Sequence, residues 1–224
     1  MKTEQHQKVN TLFNSWAGTE RGERMALGHD PLLQPLKTDW NWEQVEAVLD
    51  LGCGNGRALS LAQAWGAKQL AGLDVSDKMI AEAKKNVPTA DLQVGSIEAL
   101  PWAEDSFSHV LSVEALYYLE DPNQGLAEIR RVLKAEGRLA IMIEFFAENE
   151  ASHVWAENLP TAMVIWSEAE WVAALKKAGF PNAKASRIRR TTVKTEAEFQ
   201  PSPSFPSYAQ YLAYVEAGAL YLQA

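Results

Sequence analysis

The run Val48-Leu49-Asp50-Leu51-Gly52-Cys53-Gly54-Asn55-Gly56 constrains the fold more than any other part of the chain. A segment of buried-strand length runs straight into three alternate glycines, and a helix-forming stretch follows from Arg57. Glycine accepts positive φ at little cost and has no Cβ to hold a neighbour away. A strand that turns this tightly into a helix opens a βαβ unit, and the pattern then repeats. Strands are expected near 46–51, 69–74, 91–95, 108–113 and 138–145, and helices near 57–65, 77–86, 122–133 and 168–178. This alternation implies an α/β fold: a mostly parallel twisted sheet with helices on both faces.

The 224 residues provide one domain of ordinary size around that core. Residues 1–44 form an N-terminal helical cap segment, in which Val9, Leu12, Phe13 and Trp16 recur at helical spacing. Residues 21–29 read as a second short helix or a loop. The segment either folds over the mouth of the sheet or packs on its edge. The core spans 45–200, with an insertion near 147–166 that carries His153, Trp155, Met163 and Trp166 without a clear period. Ser167 and Glu170 form a capping-box pattern for the helix that ends at Gly179. Residues 183–193 read as a further strand. Residues 201–224 read as a Pro/Ser-rich linker and a C-terminal helix over 208–222 that packs on the core.

Ligands of parallel α/β sheets bind beyond the carboxyl ends of the strands. Asp50, Asp74, Ser96 and Glu114 all fall at expected strand ends, so one crevice collects them. Asp74 lies 22 residues after Gly52, well placed to accept hydrogen bonds from a ribose diol. An adenosine-containing cofactor follows. The dinucleotide fingerprint G-x-G-x-x-G is not met, because the glycines stand at 52, 54 and 56 and position 57 is Arg57. Asp50 would repel a pyrophosphate and tolerate a cationic head such as the sulfonium and ammonium of S-adenosylmethionine.

At these residues the chain resembles the class I S-adenosylmethionine-dependent methyltransferases of the type 11 kind. Leu49 to Gly56 is similar to their first motif, and Leu73-Asp74-Val75-Ser76 with Met79, Ile80 and Ala83 to their second. Val94 to Trp102 with Asp105-Ser106-Phe107 resembles their "GDAE-LPF…D-SFD" segment. Val113 to Leu119 with Asp121-Pro122 resembles their "S-x-x-L-x-H-L-x-D" block, and Glu128 to Leu139 their "R-V-L-K-P-G-G" signature. The resemblance implies a Rossmann-like fold and S-adenosylmethionine as cofactor. It assigns Asp50, Gly52, Cys53 and Gly54 to the glycine motif and Asp74 to the ribose. Val75 and Met79 would pack on adenine, Ser96 and Ile97 would meet its edge, and Val113 and Glu114 would face the methyl end. Two positions depart from the pattern, since Ser96 and Ser108 stand where the family carries Asp. The family's antiparallel last strand is not decided by the sequence.

The implied activity is methyl transfer to an O, N or C atom of a small molecule. No catalytic residue is assigned. Glu114 reads as a base, a neighbour of the cofactor ammonium, or a solvated carboxylate. Tyr117 and Tyr118 divide between the acceptor pocket and the core. Glu144, His29 and His153 are weaker candidates. A net charge of −8 argues against a nucleic-acid partner, and Arg187, Arg189 and Arg190 read as a solvated strand face. The single Cys53 excludes an intrachain disulfide and reads as small-residue packing in a reducing cytoplasm. No apolar run suits a membrane span, and no signal peptide or metal-ligand spacing is present. The eight tryptophans read as core and lid packing. Two alternatives stand beside this reading: a non-catalytic relative that binds the cofactor, and an NAD(P)-dependent oxidoreductase. Oligomeric state is left open.

Overall fold

The computed structural model describes residues 3–224. Its sheet has the strands β1 (Ala47–Leu51), β2 (Gln69–Asp74), β3 (Asp91–Val94), β4 (Phe107–Val113), β5 (Leu133–Ile143), β6 (Lys184–Ile188) and β7 (Ala219–Gln223). The helices are α1 (Glu4–Trp16), α2 (Glu20–Gly28), α3 (Asp30–Asp39), α4 (Arg57–Trp65), α5 (Asp77–Asn86), α6 (Pro122–Val132), α7 (Val154–Asn158), α8 (Glu168–Lys177) and α9 (Tyr208–Ala217). Strand order is β3-β2-β1-β4-β5-β7-β6. β3 to β5 run parallel, and β7 is antiparallel to both β5 and β6. The order reverses between β1 and β4, which opens the ligand crevice at their carboxyl ends.

The inner strands β1 and β2 are covered on both faces, so they lack polar alternation, whereas the edge strand β3 buries only Leu92. Leu49, Leu51, Leu73, Ile141 and Ile143 face Leu126, Ile129, Trp171 and Leu175 of α6 and α8. Val48, Leu70, Leu111 and Met142 face Leu33, Leu36, Leu59 and Ile80 of α3, α4 and α5. Capping follows the sequence: Ser76 accepts from Met79 N–H, Asp121 from Asn123 and Gln124, and Ser167 and Glu170 close a reciprocal capping box. Such caps contribute about 1 kcal/mol each.

The expected helix over 208–222 is corrected. The chain leaves α9 at Gly218 with φ +67 and enters β7, the antiparallel strand that the sequence left undecided. A Cβ at Gly218 would stand 2.8 Å from the Ile188 carbonyl oxygen, so glycine is needed for the close passage beside β6. Strand β6 also stops at Ile188, short of the expected 193. Helix α3 was not foreseen. It carries Pro31 in its first turn, where a missing N–H costs nothing, and a second proline at Pro35.

Helix α1 lies across the crevice and packs on α5 through Leu12, Trp16 and Met79. Asn10 donates to the Val75 carbonyl at 2.7 Å, and Asn14 accepts from Ser76 Oγ at 2.5 Å. Gln5 donates to the carbonyls of Tyr118 and Ala162. One helix thus ties together the loops after β2 and β4 and the insertion. No described helix is long and apolar enough to cross a membrane.

Candidate active site

A single cavity of about 1280 Å³ lies beyond the carboxyl ends of β1, β2, β3 and β4. Asp50, Gly52, Cys53, Gly54, Asp74, Val75, Met79, Ser96, Ile97, Val113 and Glu114 all line it. Its volume exceeds the roughly 300–1,000 Å³ of an ordinary ligand pocket, enough for two ligands side by side.

The glycine turn builds one end. Gly52 and Cys53 donate to the Leu73 carbonyl at 2.8 and 3.0 Å, pinning the turn to β2. Gly54 donates to Asp74 Oδ2 and Ser76 N–H to Asp74 Oδ1, both at 2.8 Å. Burial pushes the Asp74 carboxyl up to about 6, against the pull of these backbone donors. Asp50 is deeper: its Oδ2 is buried without a partner, and burial together with the Asp74 charge raises it to about 8. The Cys53 thiol packs toward β2, within 2.9 Å of where a Cβ on Gly72 would stand. Burial holds that thiol well above its ordinary range, so it is no nucleophile. Arg57, at the position of the dinucleotide motif's third glycine, instead binds Asp30 at 2.8 and 2.5 Å and ties α3 to α4.

The other end is a polar floor under an aromatic wall. Glu114 follows β4 with φ +55, a left-handed conformation that a β-carbon residue adopts only at a cost. Its Oε2 accepts from the Tyr117 hydroxyl at 2.8 Å and its Oε1 from the Glu144 backbone N–H. Burial, then the Glu144 charge, pushes it up to about 8. Glu144 is buried and accepts from Arg190 Nη2 at 2.8 Å, and Arg190 also reaches the Gly28 carbonyl and the Tyr214 hydroxyl. Arg190 is therefore a half-buried ion-pair partner, not the solvated strand-face residue expected from the sequence. Arg187 likewise stacks 4.3 Å from the Phe146 ring and bridges to Glu168; only Arg189 of the three is exposed. His29 stands beside the floor, with its imidazole pKa lowered chiefly by burial. His29, Glu114 and Glu144 offer ligand atoms within 4.8 Å of one another, and Arg190 already supplies the positive charge there. Trp155, Phe205 and Tyr214 form the wall, with ring centroids 4.7 to 6.1 Å apart.

Several expected residues fall elsewhere. His153 Nε2 donates to the Phe146 carbonyl, and its ring packs on Phe145 as a structural residue. Ser108 sits at the far end of β4, where its hydroxyl bonds both the N–H and the carbonyl of Ala47. Its departure from the family's Asp therefore touches nothing in the cavity. Ser96 does line the cavity, but its hydroxyl meets His6 at 3.0 Å and Glu98 at 3.1 Å. His6, Arg190 and Tyr214 were not foreseen at the site. Arg190 alone left a signal, as a cation next to a strand whose mate Glu144 ends another strand.

The methyltransferase domain family matches residues 49–141, the span from the glycine turn through β5. A chain of the solved complex between the Haloferax volcanii Trm112 methyltransferase activator and a proposed methyltransferase is 30% identical. The match covers 94% of this chain and 96% of that one with a TM-score of 0.84. This chain belongs to the class I S-adenosylmethionine-dependent methyltransferases. A 2-methyl-6-phytyl-1,4-hydroquinone methyltransferase of Arabidopsis thaliana is 30% identical over 63% of this chain and 42% of its own length. A tRNA U34 carboxymethyltransferase of Saccharophagus degradans is 27% identical over 69% of this chain and 54% of its own. The chain spans about half the length of these curated relatives. The family's cofactor is S-adenosylmethionine, and the residues present fit it. At Gly54 a Cβ would meet nothing within 4 Å, which leaves an open cradle beside the Asp74 carboxylate.

Proposed function

We propose that this chain transfers a methyl group from S-adenosylmethionine to a small, partly apolar acceptor, with an O–H acceptor favoured over N or C. The observation that carries the reading is the two-ended cavity: a glycine cradle with Asp74 at one end, and an aromatic wall over Glu114 at the other. Asp74 would accept from the ribose hydroxyls and Gly54 would let the cofactor backbone approach. Cys53 and Gly52 shape the turn, and Asp50 would answer the cationic head. Val75 and Met79 would pack on adenine, with Ile97 and Ser96 at its edge and Val113 toward the methyl.

When bound, S-adenosylmethionine supplies an activated methyl on a sulfonium. The chain's part is to hold the acceptor in line and exclude water. Trp155, Phe205 and Tyr214 would clamp an apolar body, and Glu114 would take the acceptor proton while Tyr117 and the Glu144 N–H orient its carboxylate. A carboxyl near 8 suits a base working at neutral to mildly alkaline pH. The base must be ionised, so turnover rises with pH through about 8.

A nucleic-acid acceptor is the second reading, favoured by the tRNA-directed relatives. The net charge of −8 counts against it, as does the pairing of Arg57 and Arg190, two of the cavity's cations, with Asp30 and Glu144. The test is transfer of labelled methyl to phenols, amines and tRNA across pH 6–9. Phenol methylation whose rate climbs through pH 8, and falls about 100-fold or more with a flat profile in Glu114→Gln, supports the reading. Transfer to tRNA alone, or no transfer despite tight cofactor binding, would overturn it; the latter leaves the non-catalytic relative.

A further inference from the structure

Resting on the cofactor placement just proposed, we infer that His6 of α1 supplies the hydrogen-bond acceptor for the adenine exocyclic amine. It would replace the carboxylate that position 96 lacks.

Ser96 and Ile97 line the cavity where the adenine edge would lie, and His6 lines it beside them. His6 Nε2 is 2.6 Å from Glu98 Oε2 and 3.0 Å from Ser96 Oγ. A carboxylate accepts only, so at 2.6 Å Nε2 must carry the proton. In the neutral ring, Nδ1 then keeps its lone pair and becomes an acceptor. Glu98 itself does not line the cavity: its Oε1 is held by the Asp121 N–H at 2.7 Å and its side chain is 13% exposed. The carboxylate has thus moved two residues along the chain and behind the imidazole, where it sets the tautomer. Ser96 Oγ also accepts from the Glu98 N–H, so the hydroxyl is used within the protein. Asn10 and Asn14 fix the register of α1 against the Val75–Ser76 turn, which holds the ring at this edge.

The bland alternative is a staple that fastens α1 to the loop after β3 and reads no base. The two differ in base discrimination. Calorimetry of the full chain with S-adenosylhomocysteine and with S-inosylhomocysteine, which has a carbonyl in place of the amine, separates them. Wild type should prefer the adenine compound by about tenfold or more, the worth of a hydrogen bond plus an unpaired acceptor. His6→Phe should bring the ratio near one, and His6→Asn, whose amide oxygen can accept, should restore part of it. A preference that survives in His6→Phe, or equal weakening of both compounds in that variant, overturns the assignment. If neither compound binds folded wild type, the cofactor placement itself fails, a distinct result. Should His6→Phe misfold, Glu98→Gln reads the same ratio: it loosens the tautomer and should lower the preference, and an unchanged ratio overturns the inference.

Discussion

Gly52 and Gly54 stand two residues apart in one turn and answer to different demands. Both have positive φ, +76 and +52, so a side chain at either costs about 1–2 kcal/mol. At Gly52 a Cβ would also stand 2.3 Å from the Ala115 Cβ, an overlap that adds about 1–3 kcal/mol. Gly52→Ala is therefore expected to lower the thermal midpoint by roughly 5–15 °C. At Gly54 the Cβ meets only open cavity. Gly54→Ala should lose only a few degrees yet weaken S-adenosylhomocysteine at least tenfold, because the methyl occupies the cradle. Thermal unfolding and calorimetry on the pair check this; a Gly54→Ala protein that binds like wild type contradicts the cradle. At this scale the sequence was legible where chemistry and backbone coincide. The eleven residues expected at the cofactor all line one cavity, because strand ends in a parallel sheet converge. His6 was illegible, since its place depends on a helix packing against Ser96, 90 positions away in the chain.

Among the elements, β7 carries the most consequence per residue. It lies inside the sheet between β5 and β6 and pairs with both, so five residues at the chain end hold the last strand in place. Leu220, Tyr221 and Leu222 are also buried in the core. Truncation after Gly218 should abolish cooperative unfolding, because β6 would lose the strand it pairs with and β5 would expose an unpaired edge. Retention of a sharp melting transition with an unchanged circular dichroism spectrum would refute that importance. The parallel strands were readable from alternation with helices. β7 was not, because Tyr208 to Leu222 is apolar apart from Gln210, Glu216 and Gly218, and such a run fits helix and strand alike. The break at Gly218 is set by the close passage to Ile188, a tertiary constraint. Helix α3 was hidden for a different reason, as Pro31 and Pro35 are ordinarily helix breakers.

For the molecule as a whole, the cap, the glycine turn and the C-terminal elements enclose one chamber that neither half of the chain could form alone. Residues from α1 at one end and α9 at the other both line it. Buried carboxyls raised to about 8, about 6 and about 8 at Asp50, Asp74 and Glu114 give the chamber a weak negative charge near neutrality. A cationic cofactor would favour their ionised forms, whereas a pyrophosphate would meet only repulsion there. The central claim, that this chamber takes a sulfur-linked adenosine cofactor on Asp74, is tested most directly by calorimetry. S-adenosylmethionine, S-adenosylhomocysteine and NAD would be titrated into wild type and Asp74→Ala. Micromolar binding of the first two, none of NAD, and a loss of at least tenfold in the variant is the predicted result. Folded wild-type protein that binds neither sulfur compound, or binds them equally well without Asp74, would contradict it.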